Sequence, residues 1–295
     1  MIRRRTLLAW LFLLLLTAPA ACSQTVVSTP APETVTIAGA TSMRPVLHAL
    51  TAAYTQQHSN VLFDVRGGGS TLGEERVARR EIDIAATTLL PTEDVADSVD
   101  DAGATATPDP LVRTPIGLDG VAVVVHASNP ITNVTVTQLR DIYAGRTLDW
   151  SELGGPGGEI LLVSREDRAG TRQLFDTRIM GDVRVSLTAV VMPTSADVVE
   201  YVGRHPQAIG YVSAAYADAP GVPAGDAAPG TGVRMVPLEG KLPTTANVSV
   251  QDYWLIQPLY LATNGQPTGR VRQFIDFALS GPGQEIVARY HAPVR

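Results

Sequence analysis

A chain of 295 residues has room for one large domain or two ordinary ones, and 45% hydrophobic with 18% charged residues excludes intrinsic disorder. Its formal charge of −6, with Lys241 as its single lysine, excludes the broad positive field that nucleic acid or an anionic lipid surface requires. An anion must be held here by local dipoles and a few arginines.

The N-terminus has the layout of an export signal. Arg3-Arg4-Arg5 is a charged region, and Leu7 to Thr17 is an apolar run too short for a bilayer span. Ala18-Pro19-Ala20-Ala21-Cys22 then resembles a bacterial lipobox, with Pro19 where that motif usually has leucine. Residues 1–21 are therefore expected to be a lipoprotein signal peptide and Cys22 the lipidated residue. The alternative is an ordinary signal peptide cut after Ala-x-Ala, with an incidental cysteine. Removing residues 1–21 takes away three arginines and no acidic residue, moving the formal charge from −6 to −9. Cys22 is the only cysteine, so no internal disulfide can form. Ser23 to Glu33 is rich in Ser, Thr and Pro, so residues 22–33 are expected to be a flexible tether.

From Thr34 the pattern alternates between strand and helix. Thr34–Ile37 predicts a strand, Gly39-Ala40-Thr41-Ser42 a small-residue turn, and Val46, Leu47, Leu50 and Tyr54 a helix. In that turn Thr41 and Ser42 are either ligand donors or plain helix caps. Val61–Val65 predicts the next strand, ending in Gly67-Gly68-Gly69-Ser70-Thr71, where glycines let the backbone approach a ligand. The spacing fits neither a P-loop nor a dinucleotide fingerprint. Ile82–Ala86 predicts a short strand leading to Thr87-Thr88, and Glu93 to Asp101 a solvated helix or loop. Gly120–His126 carries four valines in seven residues and predicts a strand buried on both faces. A domain crossing is expected at Ala127–Pro130.

Val136–Tyr143 predicts a helix capped by Thr135 or Thr137. Trp150 and Gly154–Gly158 are expected to form a surface loop before the strand Ile160–Val163. That strand runs into Ser164-Arg165-Glu166-Asp167-Arg168-Ala169-Gly170-Thr171, and Arg172–Phe175 opens a helix. Backbone N–H groups at the helix start, the Thr171 hydroxyl and the planar fork of Arg165 or Arg168 suit a tetrahedral oxyanion. An ordinary strand-to-helix turn with solvated charges would look the same when taken alone. Further on, Pro193–Asp197 predicts a helix start, Ala208–Val212 a strand, and Ala214–Gly232 an irregular loop. Leu259–Ala262 predicts a return strand, and Arg270–Leu279 and Gln284–Tyr290 closing helices punctuated by Gly281-Pro282-Gly283.

The alternation predicts an α/β architecture, in which ligands bind beyond the carboxyl ends of strands. Four such ends carry one chemical theme: Thr41/Ser42, Ser70/Thr71, Thr87/Thr88 and Arg165/Gly170/Thr171. Hydroxyls, N–H groups and one or two arginines suit a small dehydrated oxyanion. The five histidines show no metal-ligand spacing, and no Gly-x-Ser-x-Gly elbow occurs.

In the order of its motifs the chain resembles the phosphate-binding proteins of bacterial phosphate ABC transporters. The resemblance runs from about Thr34 to the C-terminus. It rests on Gly39-Ala40-Thr41-Ser42 with Pro45, Gly69-Ser70-Thr71, Asp83-Ile84-Ala85, Gln138–Gly145 with Trp150, Arg165 with Gly170-Thr171, and Ala208–Tyr211. It implies a two-lobed periplasmic-binding-protein fold of type II, with lobe I formed by residues 34–126 and 260–295 and lobe II by 127–259. Phosphate is then held in the cleft by Thr41, Ser42, Ser70, Arg165, Gly170 and Thr171, joined by Gly69, Thr71, Thr87, Thr88 and Ala169 from the same turns. The implied partners are inorganic phosphate or a similar oxyanion and a membrane permease. The chain is then expected to meet the membrane only through Cys22, to bind no nucleic acid, to need no cofactor or metal and not to be an enzyme.

Two positions depart from the family. Ala169 replaces a serine, and Thr88 stands where some members have an aspartate that accepts the proton of monohydrogen phosphate. Arg66 and Arg168 are the residues able to compensate. The alternatives are a binding protein for sulfate, molybdate or tungstate, a secreted phosphate-ester hydrolase on the same scaffold, and a lipoprotein that binds a partner instead of an anion.

Overall fold

The computed structural model describes residues 31–90, 111–217 and 232–294. The signal region, Cys22 and the acidic stretch Glu93 to Asp101 lie outside the described residues. The fold from Pro32 onward is a two-lobed α/β structure around one curled sheet of ten strands.

In the first lobe, β1 (Glu33–Gly39) runs through a 3-10 turn at Thr41–Met43 into α1 (Arg44–Gln57). Pro45 occupies the start of α1, where its missing N–H has no intrahelical partner to lose. β2 (Val61–Arg66), α2 (Ser70–Ala78) and β3 (Ile84–Thr87) follow. β1 lies between β2 and β3 and is parallel to both. Val35, Ile37, Leu47, Leu50 and Tyr54 form the core of this half, closed from the far end of the chain by Leu259, Leu261, Phe274 and Ile286.

β4 (Leu111–His126) is more than twice as long as the valine run suggests. Its first half pairs with the return strand and its second half with strands of the other lobe, so the chain crosses between lobes inside this one strand. A register shift between Pro115 and Gly117 explains why the first half breaks the apolar pattern.

The second lobe contains α3 (Val136–Tyr143), whose Thr135 accepts from the Gln138 backbone while the Gln138 side chain accepts from the Thr135 backbone. β5 (Leu161–Arg165) leads to α4 (Gly170–Phe175), which continues as a π-helical turn over Asp176–Met180. Next come β6 (Val190–Met192), α5 (Ser195–Arg204), β7 (Ala208–Ser213), α6 (Ala214–Ala217), β8 (Val233–Val236) and α7 (Thr245–Ser249). β5 is parallel to β6 and β7. Val121, Val123 and Val125 of β4 face one core with Trp150 and Phe175, while Ala122 and Val124 face another with Val198 and Val202. Apolar side chains on both faces of a central strand require this continuous valine run.

β9 (Ile256–Asn264) returns antiparallel between β3 and β4, and α8 (Gly269–Leu279), α9 (Gly281–Val287) and the short β10 (Ala292–Pro293) close the chain. Gly281-Pro282-Gly283 forms the first turn of α9 rather than a break before it, because Ser280 caps that helix through the Gly283 N–H. The sheet order is β2-β1-β3-β9-β4-β7-β5-β6, with β8 and β10 also on β4. No helix among the described residues is long and apolar enough to cross a membrane.

Candidate functional site

β1, β2 and β3 run parallel, as do β5, β6 and β7, and the turns at the carboxyl ends of β1 and β5 meet through the Arg165–Thr41 bond. Arg165 ends β5 and is 1% exposed. Its Nε and Nη2 donate to Glu166 Oε2 and Oε1 at 3.0 and 2.8 Å, its Nη1 to Ser195 Oγ at 3.1 Å, and its Nη2 to Thr41 Oγ1 at 3.2 Å. A guanidinium presents five N–H donors in a rigid plane. Glu166 takes two of them and Ser195 and Thr41 one each, while the Met192 and Pro193 carbonyls also accept from Nε and Nη2 at 3.3 and 3.5 Å. The Thr41 bond crosses between the lobes.

Thr41 and Ser42 are both buried, and neither side chain caps a helix. Thr41 Oγ1 also accepts from the Ser195 N–H at 3.4 Å, and its carbonyl accepts from the Tyr216 hydroxyl at 2.8 Å. Three groups of the second lobe therefore grip one residue of the first.

The glycine turn approaches the central turn just as closely. Gly69 has φ +85°, and a methyl group there would lie 2.6 Å from the Arg168 carbonyl. Ser70 is fully buried and accepts from the Thr88 N–H at 3.1 Å, with the two hydroxyl oxygens 3.4 Å apart. Gly170 lies against that pair: a methyl group there would be 2.2 Å from Thr88 Oγ1 and 2.8 Å from Ser70 Oγ. Ala169 occupies the cap position of α4 and gives that helix start no side-chain bond. Thr171 is 1% exposed and accepts from Gln257 Nε2 at 3.4 Å.

The structure thus brings Thr41, Ser42, Gly69, Ser70, Thr88, Arg165, Ala169, Gly170 and Thr171 to one buried junction. Thr87 is buried beside it and its Oγ1 accepts from the Leu89 N–H. Thr71 lies nearer the rim, where its N–H donates to the Arg168 carbonyl and its Oγ1 accepts from Gln173 Nε2. Arg66 turns to Asp64 on the surface and Arg168 to Glu75 at the rim, so both guanidinium groups stand apart from the buried junction. Among the described residues no three His, Cys, Asp or Glu side chains come together as a metal site.

A family model described as a PBP superfamily domain matches residues 25–282. The chain belongs to the PBP superfamily. Among its curated relatives, the phosphate-binding protein PstS of Bacillus subtilis is 26% identical over 247 residues, 83% of this chain and 75% of the relative. Among solved structures, a protein described as a phosphate ABC transporter substrate-binding protein from Clostridium perfringens, with bound phosphate, is 27% identical. It superposes with a TM-score of 0.77 over 89% of this chain and all of that one. An ABC-type phosphate transport receptor from Vibrio cholerae is 29% identical, with a TM-score of 0.65 over 87% of this chain and 98% of that one.

Sequence reasoning about this PBP superfamily chain misses several buried partners of the junction. Ser195 looks like part of a helix start, and Thr194 does cap α5 by accepting from the Asp197 N–H at 3.1 Å. The Ser195 bond to Arg165 spans 30 positions and leaves no local mark. Tyr216 falls in a stretch whose Ala, Gly and Pro content predicts a loop. Tyr211 lies behind Arg165: its hydroxyl is 2.8 Å from Ser164 Oγ and accepts from the Arg165 N–H at 3.3 Å. Burial pushes its pKa up to about 12, so it remains a neutral donor at any ordinary pH.

Proposed function

We propose that this chain captures inorganic phosphate outside the cytoplasm and delivers it to the permease of an ABC importer, tethered to the membrane through lipidated Cys22. One observation carries the reading: a fully buried arginine and a set of buried hydroxyls and backbone groups from both lobes converge on one junction. Glu166 already supplies the anionic partner that buried Arg165 requires, so the reading rests on the hydroxyl and N–H donors, which in a dry setting suit an oxyanion stripped of water. The names of the Bacillus, Clostridium and Vibrio relatives support phosphate as that anion.

In this reading Thr41, Ser42, Gly69, Ser70, Thr71, Thr87 and Thr88 serve from the first lobe, which ends within β4 and resumes within β9. Arg165, Ala169, Gly170 and Thr171 serve from the second lobe, between those two strands. Hinge closure about β4 and β9 completes the hydrogen bonds, and the permease reads the closed form. No covalent step is needed.

A second reading, another tetrahedral oxyanion such as sulfate, molybdate or tungstate, is favoured by one specific feature. Thr88 places a hydroxyl 3.4 Å from Ser70 Oγ where some relatives offer a carboxylate. A hydroxyl can donate to a fully ionised anion as readily as it accepts from a protonated one. Calorimetric titration of the chain with phosphate, sulfate and molybdate separates the readings. Phosphate binding that disappears in Arg165→Ala supports the first. Preference for sulfate or molybdate moves the specificity, and binding of none of the three overturns the oxyanion reading.

A further inference from the structure

Behind the candidate site, at the crossing between the lobes, lies a buried polar cluster that the binding reading does not use. Asp119 of β4 is 1% exposed, and its carboxylate has three donors around it. Ser213 Oγ donates to Oδ1 at 2.9 Å, His291 Nδ1 lies 3.2 Å from the same oxygen, and Gln257 Nε2 donates to Oδ2 at 2.8 Å. The donors come from β7, from the segment after α9 and from β9, so four separate parts of the chain meet at one carboxylate. Gln257 is fully buried, and the same Nε2 that serves Asp119 also reaches Thr171 Oγ1 at 3.4 Å.

A carboxylate only accepts, so it fixes which end of the Gln257 amide faces it. The NH2 group must turn to Asp119, and its second hydrogen then points at Thr171. A hydroxyl that accepts from Gln257 has its own proton directed elsewhere, available to an anion in the junction. Turned over, the amide would set its Oε1 against Asp119 and offer Thr171 an acceptor, drawing the hydroxyl proton away from the anion. The Oε1 end is buried with no partner among the described residues, so the Nε2 bonds to Asp119 and Thr171 alone set the orientation.

We propose that Asp119 and Gln257 are positioning residues for anion binding: the crossing-strand carboxylate sets the Gln257 amide, and the amide keeps the Thr171 hydroxyl as a hydrogen-bond donor to the ligand. This rests on the reading of Thr171 as a ligand residue. Because the relay is built on β4 and β9, the two strands that cross between the lobes, the quality of the Thr171 donor is set by the geometry of the crossing.

The test is a double-mutant cycle on the full chain, read as the dissociation constant for inorganic phosphate. Thr171→Val and Asp119→Asn are each expected to weaken binding by about tenfold, the usual effect of losing one hydrogen bond to a charged group. If Asp119 acts through Thr171, the double variant is no weaker than Thr171→Val alone. Single effects that multiply to about a hundredfold overturn the relay, and so does a Thr171→Val or an Asp119→Asn variant that binds as the wild type does. Circular dichroism checks that each variant is folded. Gln257→Met, which removes the amide at similar volume, closes the same cycle if Asp119→Asn does not fold. Wild-type chain that binds no phosphate, sulfate or molybdate would instead overturn the binding reading itself, a result distinct from multiplicative effects in a chain that binds.

Discussion

The Tyr216 hydroxyl donates to the Thr41 carbonyl at 2.8 Å, with both residues buried. The bond joins the segment after the last parallel strand of one lobe to the turn after the first strand of the other. Such a contact exists only while the lobes are together, so its energy opposes opening. Tyr216→Phe keeps the ring and leaves a buried carbonyl short of this donor. One neutral hydrogen bond contributes about 0.5–1.5 kcal/mol, so phosphate should leave about two- to tenfold faster, with little change in the association rate. Stopped-flow displacement measures both rates. An unchanged release rate would mean that this bond does not oppose opening.

Gly170 gives the sharpest steric prediction. A methyl group there would press on Thr88 Oγ1 at 2.2 Å, on Ser70 Oγ at 2.8 Å and on the Thr88 backbone carbon at 3.2 Å. A rotated side chain relieves the first two contacts, and only movement of the turn relieves the third. Gly170→Ala should therefore hold the turns after β3 and β5 apart and weaken phosphate binding by about five- to 150-fold, in line with the ~1–3 kcal/mol typical of overpacking. The fold should survive, because the strain falls at a junction between lobes and spares the interior of each core. Calorimetry and the melting temperature together report whether the loss is confined to binding.

The elements whose signals are local could be read in the sequence. Thr135–Tyr143 carries the capping residue and the apolar spacing in nine consecutive positions, and the helix forms over Val136–Tyr143. The first half of β4 could not be read in this way, because Arg113, Thr114, Pro115 and Asp119 interrupt the alternation that the register shift makes unnecessary. Within the candidate site, hydroxyls and glycines at strand ends stand out because their turn chemistry is local. Asp119, Gln257 and His291 do not, since 138 positions separate Asp119 from Gln257 and 172 separate it from His291. Only the topology of the crossing brings them together.

The environment of Arg165 distinguishes charge from shape. Glu166 grips one edge of the guanidinium with two parallel bonds, while Ser195 and Thr41 take N–H groups beyond it. A lysine carries the same charge on a single nitrogen and cannot hold these partners in one plane. Arg165→Lys should weaken anion binding by at least about tenfold despite conserving charge. Ser195→Ala, which removes one acceptor and keeps the fork, should weaken it less. Equal affinity of Arg165→Lys and wild type would show that charge alone matters at this position.

Tyr211 links the site to stability at alkaline pH. Its ring stacks on Phe175 at 4.0 Å between centroids, and its hydroxyl meets Ser164 and the Arg165 backbone. Burial raises its pKa from 10.0 to about 12 in the folded chain. The folded form thus holds this proton more tightly than the unfolded form does. The stabilisation is complete below about pH 10 and is lost as pH rises from about 10 towards 12. A shift of about two units corresponds to roughly 2–3 kcal/mol in total, and to about 1 kcal/mol already lost at pH 11. Tyr143 and Tyr253 are pushed in the same direction by burial, so they steepen the same fall. Tyr211→Phe keeps the stacked ring and removes the ionisable group. Urea unfolding at pH 8 and pH 11 should show the variant less stable than wild type at pH 8, where its hydrogen bonds are missing. Between the two pH values the variant should lose about 1 kcal/mol less than wild type does. Identical losses would mean that the Tyr211 hydroxyl ionises no later in the folded chain than in the unfolded one.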